Sequence, residues 1–188
     1  TRQGLHATQV AGVMIAKNSP VASVQGVAPD AILHAAAVNG APVGLDRNVK
    51  LAVTTNRIAT LAVDVKAVNI SAGFPLLNEF QKTDGNQHAT QFIDWSASVH
   101  DVLYVFGGAQ EDDPVDFPQD NFNGITVAAS QRFNGNPSGP FRQVAPFNKL
   151  DFDAEPGVRT TIDLIAPGTE LLLTGQGTTT GIADGTSY

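Results

Sequence analysis

The stretch Val102-Leu103-Tyr104-Val105-Phe106-Gly107-Gly108 decides the fold. Five apolar residues in unbroken succession, stopped by two glycines, are what a strand buried on both faces of a parallel sheet requires. A helix-like pattern, Gln87–His100, stands immediately before it. Similar short runs recur at Ala31–Val38, Val65–Ile70, Ile125–Ala129 and Thr160–Ile165, with a further one near Glu170–Leu173. Helix-like patterns at His6–Ala16 and Val49–Ala62 alternate with them, although Val53-Thr54-Thr55 in the second also suits a strand. Strands alternating with helices predict right-handed crossovers and an α/β fold, a three-layer αβα arrangement around a mainly parallel sheet.

The connecting segments are rich in turn formers. Gly73–Gly85 contains Phe74-Pro75, Glu111–Asn123 is acidic and bears proline, and Phe133–Asp153 is rich in Gly, Pro, Asn and Phe. No internal repeat, low-complexity tract or linker divides the chain, so residues 1–188 read as a single domain. With 188 residues, 42% apolar and 15% charged, the chain has the means to bury a core and is neither disordered nor a coiled coil.

A net charge of −7 with scattered Lys and Arg argues against a nucleic-acid partner, because phosphate binding needs a basic face. No apolar run approaches the roughly 20 residues of a membrane span. Cysteine is absent, which removes thiol catalysis, disulfides and thiolate metal sites together. That absence suits a secreted or periplasmic bacterial-type enzyme, and many cytosolic proteins lack cysteine as well.

Two segments carry chemistry. Gly4-Leu5-His6-Ala7-Thr8-Gln9-Val10-Ala11-Gly12 sets a histidine at the start of a small-residue helix. Asp184-Gly185-Thr186-Ser187-Tyr188 sets a serine after small residues that permit a tight turn. A histidine titrates near neutral pH and can accept and return a proton, and a serine hydroxyl with such a base beside it becomes a nucleophile. The pair suggests the base and nucleophile of a hydrolytic triad. The Gly-x-Ser-x-Gly pattern of the α/β-hydrolase elbow is absent around Ser187. His34, His88 and His100 have no comparable setting and are expected to be structural, His34 within a strand.

Five blocks in order resemble the subtilisin-like serine peptidases, the subtilases. His6-Ala7-Thr8-Gln9-Val10-Ala11-Gly12 resembles their His-Gly-Thr-His-Val-Ala-Gly block, and Gly26-Val27-Ala28-Pro29-Asp30-Ala31 their Gly-Val-Ala-Pro-x-Ala turn. Val68-Asn69-Ile70-Ser71-Ala72-Gly73 is similar to their Asn-x-Ser-x-Gly substrate-binding segment, and Asp163-Leu164-Ile165-Ala166-Pro167-Gly168 to their Asp-x-x-Ala-Pro-Gly strand end. Gly185-Thr186-Ser187 matches the start of their Gly-Thr-Ser-x-Ala-x-Pro nucleophile block.

The resemblance implies His6 as general base, Ser187 as nucleophile, and Gln110 at the place of the family's oxyanion-binding Asn. Gln offers the same amide donor on a stem one methylene longer. Ser71, Ala72 and Gly73 would present a strand edge to an extended peptide, and Gly107, Gly108 and Ala109 would wall a roomy apolar pocket. The alternative is that these small residues serve close strand–helix packing. Protein or peptide substrates follow, with no cofactor required for catalysis.

The family's structural calcium could find oxygen ligands in Glu111, Asp112, Asp113, Asp116 and Asp120, but a solvated acidic loop is the preferred account. Departures from the family are Ala7, Gln9 and Gln110. The family's aspartate precedes the histidine on a strand, and no acid here matches it; Asp30, Asp64 and Asp163 fit other positions. The sequence thus reads as a subtilisin-like domain truncated at both ends, inactive and poorly soluble alone. A degenerate domain that binds peptides without cleaving them is the other reading.

Overall fold

The structure, a computed structural model, describes residues 2–17, 24–38, 46–61, 64–73, 83–110, 118–148, 162–175 and 179–188. Among these residues three α-helices, α1 (Arg2–Ile15), α2 (Arg47–Leu61) and α3 (His88–His100), and a 3-10 turn at Phe133–Gly135 accompany seven strands. These are β1 (Ala67–Ile70), β2 (Leu103–Gly107), β3 (Gly124–Arg132), β4 (Phe141–Val144), β5 (Leu164–Pro167), β6 (Leu171–Thr174) and β7 (Thr180–Ala183).

The continuous apolar run becomes β2, between β1 and β3 and parallel to both. β3 also pairs with β5 in parallel and with β4 antiparallel, so the main sheet is mainly parallel, as expected. Tyr104 and Phe106 point to one face of β2 and are fully buried, their rings stacked at 6.4 Å. Against them pack Val68 and Ile70 of β1, Leu51 of α2, and Ala89 and Ile93 of α3. Each large apolar side chain so buried stabilises the fold by about 1.5–3 kcal/mol.

The phenol of Tyr104 cannot be left unpaired in that core, and Ser96 of α3 shares a 2.8 Å hydrogen bond with it. Burial pushes the Tyr104 phenol above its ordinary value of 10.0, with the Ser96 bond opposing. α3 closes in a left-handed residue, Asp101 (φ 53°), whose amide donates to Ala97. The chain then enters β2.

β6 and β7 form a separate antiparallel hairpin on which α1 rests, tied to it by the Thr174 hydroxyl, 3.4 Å from the carbonyl of Thr8. The Asp184 carboxylate accepts from the amide of Glu170 at 2.6 Å and so joins the hairpin's two ends. The carbonyls at the end of α1 are satisfied by the loop that follows. The amides of Val27, Ala28 and Gly26 donate to Val13, Met14 and Ala16.

Some expectations change. No strand forms over residues 31–37, where Ile32 is 86% exposed and His34 is exposed too; apolar content without a ladder partner does not make a strand. Conversely, β4 lies inside the stretch read as loop. Its sequence Phe-Arg-Gln-Val carries no continuous apolar signal, and Arg132 of β3 holds it by stacking 4.5 Å over the Phe141 ring. β7, Thr-Gly-Ile-Ala, was equally silent and exists through its local pairing with β6. The ambiguous second helix is a helix throughout Arg47–Leu61, with Thr55 bonding back to Leu51 at 2.7 Å.

Candidate active site

The parallel register sets Ile70 beside Phe106, so the chain segments leaving β1 and β2 run on side by side at the carboxyl ends of the strands. These are Ser71–Gly73 and Gly107–Gln110. Ligand sites of open α/β sheets form at that edge. α1 brings His6 there from one direction, and the segment after β7 brings Ser187 from the other.

Ser71 is the meeting point. Its main-chain carbonyl lies 3.3 Å from His6 Nε2, and its hydroxyl donates to the Ser187 carbonyl at 2.8 Å. The Asn69 side-chain amide donates to the same hydroxyl at 2.8 Å, fixing the direction in which Ser71 gives its proton. Asn69 stands two residues before Ser71, on β1 and at the first position of the Asn-x-Ser-x-Gly segment, which is the signal that the sequence offers for it. Among the described residues no hydrogen bond joins the imidazole directly to the Ser187 hydroxyl.

The turn carrying Ser187 is held at several points. The Gly185 amide donates to Gly168 at 2.8 Å, and the Thr186 hydroxyl to the Gly108 carbonyl at 2.6 Å. A methyl group on Gly168 would sit 2.5 Å from the Ala129 Cβ and 2.8 Å from the Gly185 carbonyl, so only glycine permits this approach. Gly107 is similar, with the Thr186 carbonyl 3.1 Å from where its Cβ would be. Gly107, Gly108 and Ala109 are buried; Gly107 faces the turn that carries Ser187, whereas a Cβ on Gly108 would meet the Ile162 side chain and the main chain of β3. Ser71 and Gly73 are half-buried and Ala72 is exposed.

Gln110 accepts a hydrogen bond at Oε1 from the Thr186 amide, 3.1 Å away. A main-chain N–H can only donate, so the carboxamide oxygen must face Thr186 and its NH2 is left to donate elsewhere. Tyr188 lies over His6, with ring centroids 5.7 Å apart. Its hydroxyl stands 3.4 Å from His6 Nδ1 and 3.1 Å from the Gln9 carboxamide oxygen. Burial raises the Tyr188 phenol above its usual 10.0. Neither Gln9 nor Tyr188 was singled out as a site residue from the sequence.

The other histidines lie elsewhere: His88 opens α3 and His100 closes it, ringed edge-on by Trp95 at 5.5 Å. Among the acids, Asp163 accepts from the Thr126 amide and Asp30 pairs with Lys17, so neither faces His6. Glu111, Asp112, Asp113 and Asp116 lie outside the described residues. Asp120 is buried, with its carboxylate accepting from the Gly85 amide and the Thr90 hydroxyl. Among the described residues no three His, Asp or Glu converge as a metal site. No helix among them is long and apolar enough to cross a membrane.

The model of the subtilase family matches residues 1–188. No individual curated protein matches the chain. Among solved structures, PatG macrocyclase in complex with peptide is similar over 97% of this chain and 48% of that one, at 17% identity and a TM-score of 0.71. Sphericase is similar at 22% identity and 0.67, over 97% and 58%, and the S41 psychrophilic protease at 20% and 0.64, again over 97% and 58%. The chain therefore spans about half the length of the solved proteins it matches. At these identities the likeness establishes the architecture, a three-layer subtilisin-like αβα fold. With the family model covering every residue, the chain belongs to the subtilase family of serine peptidases.

Proposed function

We propose that the protein containing these residues is a serine endopeptidase, with His6 and Ser187 as base and nucleophile of a Ser-His-Asp mechanism. The Ser187 hydroxyl attacks a peptide carbonyl while His6 Nε2 takes its proton. That proton then goes to the leaving amine, and the C–N bond breaks to give an acyl-enzyme. Water, deprotonated by the same imidazole, releases the acid product and restores the hydroxyl. The aspartate that orients the imidazole is supplied by sequence outside these 188 residues.

The tetrahedral oxyanion is held by the Gln110 NH2 and the Ser187 amide. An extended peptide adds to the main chain of Ser71–Gly73 as a further strand, with the small residues Gly107–Ala109 beside its side-chain pocket. The scheme calls on no cofactor, and calcium would have a structural role only.

One observation carries this reading: Ser71 touches the imidazole through its carbonyl and the nucleophile's backbone through its hydroxyl. A fluorophosphonate probe applied to the full-length protein tests it. Covalent labelling at Ser187, lost in His6→Ala, is expected. If Ser187 stays unlabelled while the protein still binds extended peptides, the domain is a degenerate binding module.

A further inference from the structure

We propose that Gln119 is the floor of the side-chain pocket and limits the residue before the scissile bond to a small one such as alanine; this rests on the peptidase reading above. Along a parallel strand, main-chain groups point alternately to the two neighbouring strands. The Leu103 amide donates to Lys66, just before β1, and the Gly108 amide donates to Val127 of β3. By that alternation the Gly107 carbonyl faces the β1 side, where β1 has ended at Ile70 and the chain leaves as Ser71–Gly73. It opens into the gap between the two segments, and the Gln119 carboxamide donates to it there at 2.6 Å.

Gln119 enters the gap from the side of α3. Phe106 packs into the core with residues of α2 and α3, and Thr126 pairs with it in register, so both side chains share that face of the sheet. The Thr126 hydroxyl donates to the Gln119 main-chain carbonyl at 3.1 Å. The next residue, Asp120, is fully buried and accepts from the Thr90 hydroxyl of α3 at 2.8 Å. Gly107, one position after Phe106, presents the opposite face, where a Cβ would meet Thr186 beside Ser187. The serine turn and Gln119 thus close one gap from opposite faces of the sheet. A peptide lying along Ser71–Gly73 with its carbonyl at Ser187 sends its side chain toward Gln119.

Gln119 is only 3% exposed, so its own side chain takes up space between the segments. Small walls alone imply a roomy pocket; with this floor it is shallow. The Gly107 carbonyl can only accept, so the carboxamide NH2 must face it and the oxygen is turned away. That oxygen is buried and accepts no hydrogen bond from the described residues, an arrangement that costs stability. The glutamine is kept because its NH2 pairs a carbonyl that the end of β1 leaves without a ladder partner, and its length carries it across the gap. Nor can the floor sink easily. The Asp120 carboxylate also accepts from the Gly85 amide at 2.7 Å, and the side-chain and main-chain amides of Asn121 donate to Pro118 at 2.8 and 3.1 Å. A large side chain therefore meets a fixed obstacle, and selection works by exclusion.

The test uses the full-length protein, with fluorophosphonate labelling of Ser187 and hydrolysis of two peptides that differ only in alanine or phenylalanine before the cleaved bond. Wild type should favour the alanine peptide about a hundredfold in kcat/KM. Gln119→Ala removes the floor and should raise kcat/KM for the phenylalanine peptide about tenfold or more. Gln119→Met gives up the hydrogen bond but keeps the volume, so it should keep the preference even where both rates fall. A merely structural role would lower both peptides alike in both variants. Labelled wild type that cleaves the phenylalanine peptide as fast as the alanine peptide overturns this floor alone, and that result needs no variant to fold. An unchanged preference in a Gln119→Ala protein that still labels overturns it too. A wild type that is never labelled removes the peptidase reading and this inference with it.

Discussion

The hydroxyl of Ser71 donates to the main-chain carbonyl of Ser187 at 2.8 Å across a sequence separation of 116 residues. The donor belongs to the end of β1 and the acceptor to the turn beyond β7, so this bond fastens the backbone of Ser187 to the main sheet. Ser71→Ala leaves that carbonyl without its partner, a loss of about 1 kcal/mol in stability. The larger effect should be on geometry: Ser187 labelling should slow by about tenfold or more. Labelling at the wild-type rate would show that the turn is held without it.

The Gln110 oxygen holds the Thr186 amide. In the proposed mechanism its NH2 has a second role, as donor to the oxyanion. Gln110→Glu preserves the first role and abolishes the second. We expect melting temperature to change little while kcat falls about a hundredfold or more, the size of effect known for the oxyanion donor of subtilisin itself. Equal activity in Gln110→Glu would assign the oxyanion to other donors.

Gly168 and Ala129 face each other closely enough that a single methyl on the former would reach within 2.5 Å of the latter. Because the Gly168 carbonyl also receives the Gly185 amide, Gly168→Ala should displace the Ser187 turn as well as strain the sheet. A destabilisation of about 1–3 kcal/mol is expected from such overpacking, with labelling of Ser187 lost more completely than stability. Urea melts and labelling of the same sample separate the two.

Tyr104 gives the fold a dependence on alkaline pH. Burial raises the phenol above its ordinary 10.0 in the folded chain, whereas the unfolded chain ionises at that value. Above it the folded state therefore binds more protons than the unfolded state, and stability falls as pH rises. Below it the contribution is fully present. Tyr104→Phe should remove this component, so wild type and variant should diverge in urea melts taken above about pH 10 and run parallel below. Parallel melts throughout would place the alkaline loss elsewhere.

The parallel strands were legible because burial on both faces leaves a continuous apolar run; β2 and β3 emerged within two residues or so of expectation at their starts. The same rule over-read residues 31–38, where the apolar side chains find no ladder and Ile32 faces solvent. It passed over β4 and β7, whose pairing is local and whose side chains are mixed. At the candidate site, His6, Ser71 and Ser187 stand in motifs that the sequence shows in order, and Gln110 is reached only by its place after the glycines that end β2. The Tyr188 contacts to His6 and Gln9 had no such signal. They join positions 182 and 179 residues apart, and neither residue type at those positions announces a partner.

The β6–β7 hairpin carries α1 on one strand and passes from its other strand directly to Ser187. The segments that hold His6 and Ser187 thus share one small platform beside the sheet. Yet the turn at Ser187 is also bound to the sheet side through Ser71, Gly108 and Gly168. Hairpin and sheet are therefore riveted together at the serine, and the two units cannot part without breaking bonds at the residue that would carry out the attack.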